Sequence, residues 1–282
     1  MALVHMPEHR IKDIEIELLL SALKERWGYD FTGYARASLK RRMEQLVSYF
    51  GIDSLTRILH DVLYDERVAQ TVINAISVPT SEFFRDPEVW LYIRTEIFPR
   101  LASFPLMNIW QVGCGRGQET YTLAILLHET GLLHKTRLIA TDINNDFLNE
   151  ARDGRWPQRD MEAWRRNYQQ AGGSASFDEY FDQQGTEVAI RESFKATIEF
   201  MPHNLVSDDA FLESQFIVCR NVLIYFGSAL QDRVIDIFAR SLQRGGFLLL
   251  GRAESLPENQ HDLAIFQESY RLYQKPIWGA HG

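Results

Sequence analysis

Apolar residues recur at three- and four-residue intervals from Ile11 to about Ala75, with Gly28, Gly33 and Gly51 as punctuation, and this periodicity predicts helix throughout. The most distinctive stretch is ARASLKRRMEQLVSYFG. Leu39, Met43, Leu46, Val47 and Phe50 line one side of it, Lys40 and Arg41 fall away from that stripe, and Arg42 sits at its edge. One face is expected to pack and the other to be cationic. After a turn around Pro79, TSEFFRDPEVWLYIRTEIFPRL reads as a helix with Phe83, Phe84, Trp90, Ile93 and Ile97 directed inward.

Beyond Pro105 strand and helix signals alternate. NIWQVGC, RLIATD, SQFIVCRNVL and GGFLLLG read as strands, TYTLAILLHETG, NDFLNEAR and ALQDRVIDIFARSL as helices, and FQESYRLYQK as a terminal strand-like segment. The alternation predicts a doubly wound α/β domain. It breaks between Gly154 and about Phe200, where the short runs EVAIRE and TIEF predict an insertion carrying a small antiparallel sheet. The expected organisation is a helical domain over 1–78 and a catalytic α/β domain over 79–282, with the insertion at about 155–200 and an unstructured GAHG end.

The bulk numbers fit this division. A chain of 282 residues suits two domains, and its near-average apolar and charged content argues against disorder or a coiled coil. A net charge of −8 disfavours a phosphate backbone as partner, so no nucleic acid is expected. Cys114 and Cys219 lie far apart at strand ends, which points to a reducing cytosol rather than a disulfide framework. The opening MALVHMPEHRIKDIEIE lacks a signal-peptide core and no apolar stretch is long enough to span a bilayer, so a cytoplasmic protein without membrane insertion is expected. Scattered histidines and the lack of HExxH or CxxC give no support to a metal.

The chemistry gathers at strand ends. Gly113, Gly115 and Gly117 follow a strand and open a helix, where glycine permits positive φ and close approach of a ligand. Glu119 stands at that helix start; it would repel a pyrophosphate and welcome an ammonium group such as methionine's, although a carboxylate is favoured at any helix N-terminus. Asp142 ends RLIATD, suited to ribose hydroxyls or to capping the next helix. Asn204 and Leu205 in PHNL suit the edge and face of an adenine, while asparagine is equally a turn residue. Asn221 ends another predicted strand, and open α/β sheets bind ligands at the carboxyl ends of their strands.

FFRD, the loop with Glu119, ATD at 140–142, HNL and above all CRNVLIYF, in this order and spacing, resemble the chemotaxis receptor methyltransferase (CheR) family. The likeness covers nearly the whole chain. It implies a Rossmann-like S-adenosylmethionine domain with an inserted β-subdomain, preceded by a helical N-terminal domain. It implies that Arg85, Glu119, Asp142, Asn204, Leu205, Asn221 and Val222 surround the cofactor, with Ser81 where the family often has threonine. Pro79 replaces an asparagine common before FFR, and CGRGQET is a variant of the more usual STGEEPYS, with Glu119 matching its second glutamate.

The reaction implied is esterification of chemoreceptor glutamates. A carboxylate is ionised at neutral pH, so attack on a sulfonium methyl needs no general base, and positioning carries the rate. Arg85 and Tyr225 are the residues expected beside the methyl group and the substrate carboxylate. The basic helix, through Arg36, Lys40, Arg41 and Arg42, is expected to meet acidic receptor helices; the bland alternative is a solvated face. The stretch YFDQQGTEV from Tyr180 to Val188 is short for the loop that docks a receptor's C-terminal peptide in some members, so no tether is expected.

Three rival readings stay open. One is a methyltransferase acting on RNA or a small molecule with the same cofactor; enzymes that methylate exocyclic amines typically carry an Asn- or Asp-Pro-Pro-aromatic run where CRNVLIYF stands. A nicotinamide oxidoreductase is disfavoured by Glu119 and by the missing third glycine at the usual spacing. A cofactor-binding adaptor without catalysis is kept open by Pro79 and the variant loop.

Overall fold

The computed structural model describes residues 8–79, 81–256 and 262–277. The opening Met1–Pro7 and the GAHG end lie outside the described residues. Contacts divide the chain into two compact units. One comprises the residues up to Val78 with Asn204–Asp208 and Tyr225–Val234, and the other comprises Pro79–His203, Asp209–Ile224 and the chain from Ile235 onward.

The first unit is built on α1 (Glu8–Trp27), α2 (Arg36–Phe50), α3 (Thr56–Tyr64) and α4 (Glu66–Ile76). Leu19 and Leu23 of α1, Leu39, Met43 and Leu46 of α2, Val62 of α3 and Val72 and Ile73 of α4 are buried, as their helical spacing requires. Gly51 ends α2 in the left-handed conformation at φ 62°, its N–H reaching back to the Val47 and Ser48 carbonyls. Asp65 ends α3 and caps α4, accepting the Arg67 N–H at 2.8 Å.

In the second unit the chain runs α5 (Pro87–Tyr92), a π-turn (Ile93–Ile97), α6 (Phe98–Leu101), β1 (Met107–Val112), α7 (Gln118–Glu129), β2 (Thr136–Asp142) and α8 (Asn145–Asp153). Then come β3 (Arg155–Pro157), α9 (Met161–Gln170), β4 (Phe181–Gln184), β5 (Glu187–Ile190), α10 (Glu192–Lys195), β6 (Ile198–Pro202) and β7 (Ser214–Cys219). It closes with α11 (Ser228–Ser241), which begins in the first unit, and β8 (Leu242–Leu250), β9 (Ala264–Gln267) and β10 (Leu272–Gln274). The main sheet has the order β6-β2-β1-β7-β8-β10-β9. Its first five strands are parallel, and β10 runs antiparallel to both β8 and β9. This is the Rossmann-like architecture that the resemblance implies, with a separate three-stranded antiparallel sheet, β3-β5-β4, inserted in it.

Four expectations are corrected by these elements. TIEF forms β6, the parallel edge strand of the main sheet, and not part of the insertion. Its alternation explains why: Ile198 and Phe200 pack against buried apolar residues while Glu199 pairs with Arg137 of β2. The helix read from TSEFF starts only at Pro87, because proline fixes the first helical position and disfavours helix at the residue before it. Asp86 and Phe84 stand at φ 57° and 54°, while Phe83 and Phe84 are still fully buried. The strand read as SQFIVCRNVL stops at Cys219, and Asn221 turns the chain at φ 61°. The terminal strand is a hairpin of two short strands folded at Arg271.

Strand order reverses between β1 and β7. From β1 the chain works outward through β2 to β6, then returns to lay β7 on the opposite side of β1. The loops after β1 and β7 therefore diverge around a crevice at their carboxyl ends, the ligand position of open α/β sheets.

Candidate functional site

Three glycines shape the loop after β1: Gly113, Gly115 and Gly117 have φ of 66°, 51° and 90°. Val222, from the loop after β7, lies across the first of them, so the two sides of the crevice touch. Pro79 stands beside Gly115, where a β-carbon would meet it at 3.7 Å. Ser81 is half-buried in irregular backbone.

Asp142 ties this loop to the next one. Its Oδ2 accepts the Gly115 N–H and its Oδ1 the Asn144 N–H, each at 2.9 Å. The cap of α8 is Asn144, which accepts the Asp146 N–H at 3.0 Å, so Asp142 serves the loops rather than the helix end. Burial pushes the Asp142 carboxyl up, against the pull of the backbone N–H groups of Asn144, Gly115 and Ile143.

Glu119 is buried in the first turn of α7 and does not stand alone. Its Oε2 accepts from Arg220 Nη1 at 2.8 Å, and its Oε1 faces Gln111 Nε2 at 3.5 Å. Burial pushes its carboxyl up, while Arg220, Arg85 and Gln111 draw it back down. Arg85 follows the buried Phe83–Phe84 pair, and its carbonyl accepts from Trp90 Nε1 at 2.9 Å and from Arg220 Nη1 at 3.2 Å. The second Arg220 nitrogen pairs with Asp86. Asn221 and Val222 follow at once, held by Glu254, whose Oε2 accepts the N–H groups of Asn221 at 3.0 Å and Gly251 at 2.6 Å.

Gly113, Gly115, Glu119, Asp142, Asn221, Val222 and Arg85 are thus brought to one crevice of the second unit. Asn204, Leu205 and Tyr225 belong to the first unit. There Asn204 uses its amide locally: Oδ1 accepts the Val206 N–H at 2.9 Å and Nδ2 donates to the Asp30 carbonyl at 3.3 Å. Leu205 is buried, and the Tyr225 carbonyl accepts the Ala35 N–H at 2.8 Å. Also in that unit, Arg36 bonds Glu17 at 3.0 Å and Lys40 bonds Asp13 at 2.9 Å, so two of the four basic residues on α2 lean onto α1. Arg41 is exposed, and Arg42 donates to Gln45 at 3.3 Å.

Sequence reasoning passed over three site residues. Arg220 sits inside the CRNVLIYF run, but an arginine after an apolar strand ordinarily reads as surface. Glu254 is an acid just beyond the next strand end, at the same level of the sheet as Asp142 and Asn221. Gln118 occupies the first position of α7 with its amide oxygen buried and unpartnered.

These groups fit S-adenosylmethionine. The glycine loop lets backbone approach a ligand, Gln118 Oε1 and the Glu119 carboxylate offer acceptors for an ammonium group, and Asp142 offers one for hydroxyls. Burial pushes the Cys114 and Cys219 thiols well up, leaving them neutral packing groups. Among the described residues no helix is long and apolar enough to cross a membrane, and no cluster of metal-ligating side chains occurs.

Comparison with known proteins agrees with this geometry. Residues 79–271 match the family described as CheR methyltransferase, SAM binding domain, and residues 14–77 match CheR methyltransferase, all-alpha domain. A Pseudomonas putida protein named Cher3 is 37% identical over 271 residues, covering 96% of this chain and 97% of that one. Chemotaxis protein methyltransferase 1 of Vibrio cholerae is 31% identical over 77% of this chain and 80% of its own length. The chemotaxis protein methyltransferase of Listeria innocua is 28% identical over 87% of this chain and 92% of its own. With both parts of the chain matched and a strand-end crevice suited to the cofactor, this protein belongs to the CheR family of S-adenosylmethionine-dependent methyltransferases.

Proposed function

We propose that this protein transfers the methyl group of S-adenosylmethionine to glutamate side chains of chemoreceptor cytoplasmic helices, forming methyl esters in the cytoplasm. The observation that carries the reading is the crevice itself: a buried carboxylate, Glu119, is joined through Arg220 to the turn bearing Arg85, in a chain of the CheR family. The Vibrio and Listeria relatives carry chemotaxis methyltransferase names, which supports a receptor as acceptor.

S-adenosylmethionine, when bound, supplies an electrophilic methyl group on a sulfonium. Around it the chain contributes Gly113 and Gly115 as backbone, Glu119 for the ammonium and Asp142 for the ribose, with Ser81, Arg85, Asn221 and Val222 completing the wall. The family resemblance adds Asn204 and Leu205 for the adenine. An acceptor glutamate arrives already ionised, so no side chain has to remove a proton. The work left to the protein is orientation and exclusion of water, for which Arg85 and Tyr225 are the proposed donors to the acceptor carboxylate. No metal has a part in this scheme.

Arg36, Lys40, Arg41 and Arg42 are proposed to meet the acidic receptor helices. Docking through a receptor tail is not part of the proposal, because β4 and β5 are joined tightly, with Gln184 paired to Glu187 across Gly185 and Thr186. The direct test is transfer of radiolabelled methyl to receptor cytoplasmic fragments, with release of volatile methanol in base. Base-labile label on glutamate supports the reading. Cofactor binding with no label on any receptor fragment would point to an adaptor or to another acceptor.

A further inference from the structure

The guanidinium of Arg220 joins two elements that are far apart in sequence. Its side chain is 1% exposed. One terminal nitrogen bonds Glu119 at 2.8 Å and the Arg85 carbonyl at 3.2 Å, and the other pairs with Asp86. Its plane carbon stands 5.3 Å from the centre of the Trp90 ring, and Trp90 itself donates to the Arg85 carbonyl. Asp86 in turn faces Arg252 at 3.5 Å, which reaches Glu88 at 3.0 Å. Three acceptors on two elements need a planar fork, which a lysine ammonium cannot reproduce.

We propose that Arg220 is a positioning residue of the cofactor site: it bonds the Glu119 carboxylate and locks the Arg85–Asp86 turn to the head of α7, so that the ammonium-binding carboxylate and Arg85 are presented together. This rests on the reading of Glu119 as the ammonium acceptor. The groups facing Glu119 are Arg220 from the loop after β7, Arg85 from the turn before α5, Gln111 from β1 and the neutral thiol of Cys219. Burial alone would favour the protonated acid, and Arg220 is the nearest opposing charge. A protonated Glu119 offers no charge to an ammonium group. The left-handed backbone of Phe84 and Asp86 is likewise a conformation that needs outside support, and Arg220 supplies it through both the Arg85 carbonyl and the Asp86 side chain.

The test is calorimetric titration of S-adenosylhomocysteine into the full-length wild-type protein, Arg220→Lys, Glu119→Gln and the double variant, each across a pH series. Arg220→Lys is expected to weaken binding by about tenfold or more. It should also move the acid-side loss of affinity to higher pH, because Glu119 then takes up a proton more readily. Glu119→Gln should bind weakly without that pH dependence, and adding Arg220→Lys to it should cost far less than in the wild type. Unchanged affinity and pH profile in Arg220→Lys, or a full additional loss on the Glu119→Gln background, would overturn the proposal. Should Arg220→Lys fail to fold, Asp86→Asn and Arg85→Ala read the other arm: their effects on binding are expected to overlap, and strict additivity would sink it. Binding needs no methyl acceptor, so the outcome is independent of whether receptor glutamates are esterified.

Discussion

Val222 presses on Gly113 so closely that a β-carbon at position 113 would come within 2.4 Å of Val222 Cγ2. Gly113 also holds φ at 66°. Gly113→Ala therefore meets two penalties, about 1–2 kcal/mol for the left-handed backbone and about 1–3 kcal/mol for the overpacking. A lower thermal midpoint and weaker S-adenosylhomocysteine binding are expected. Val222→Ala on that background removes the clashing methyl and should recover part of the stability; no recovery would place the whole penalty in the backbone.

Phe83 anchors the turn that carries Arg85. It is fully buried, with the rings of Trp156, Trp164, Phe177 and Phe181 centred 5.0, 4.9, 5.7 and 5.4 Å away. Phe83→Ala should destabilise by about 3–5 kcal/mol, and Phe83→Leu by clearly less, since most of the volume remains. Chemical denaturation followed by tryptophan fluorescence reports it directly, because Trp156 and Trp164 line the same cluster. A cost for Phe83→Ala within about 1 kcal/mol would mean the aromatic cluster closes without it.

The extent to which such features can be read from sequence varies by element. The short apolar run ended by the glycine loop and the longer apolar run beyond it mark β1 and α7 directly, and the acid at the end of RLIATD marks Asp142. Helix α9 escapes notice because MEAWRRNYQQ is mostly polar, yet Met161, Trp164 and Tyr168, at spacings of three and four, are its buried residues. Arg220 is different in kind. Its partner Asp86 is 134 positions away and Glu119 is 101 away, so no local pattern distinguishes it from a surface arginine. Asn221 shows the opposite case: the motif announces it, but the left-handed turn that aims it depends on Glu254, contributed from beyond β8.

The edge of the main sheet offers a pH-dependent prediction. Arg137 on β2 grips Glu199 on β6 with two hydrogen bonds of 2.7 Å, and these hold the Glu199 carboxyl below its ordinary range. A carboxyl with a lowered folded value adds stability above its unfolded pKa, and loses it as pH falls through the folded value. Both side chains are about half exposed, so the contribution is limited to about 1 kcal/mol or less. Glu199→Gln should cost that much in urea denaturation at neutral pH, and the difference from wild type should shrink in acid and in high salt. A cost that persists at the acid end would assign the effect to packing rather than charge.

On α2 the four basic residues are not equivalent. Arg36 and Lys40 are engaged by Glu17 and Asp13 of α1, and a cation already paired projects less field toward a partner. Arg41 is exposed. If acidic receptor helices dock here, Arg41→Glu should raise the KM for a receptor fragment by about three- to tenfold at low ionic strength, with the difference shrinking as salt is added. Arg36→Ala should change KM less than Arg41→Glu and cost stability by no more than about 1 kcal/mol, because it removes an exposed ion pair. S-adenosylhomocysteine affinity, measured in parallel, should stay at the wild-type value in both variants, since neither residue has been assigned to the cofactor crevice. Methylation kinetics at two salt concentrations separate the cases: equal salt slopes for wild type and Arg41→Glu would exclude Arg41 from the docking field, and a larger KM effect from Arg36→Ala would move that field onto the face shared with α1.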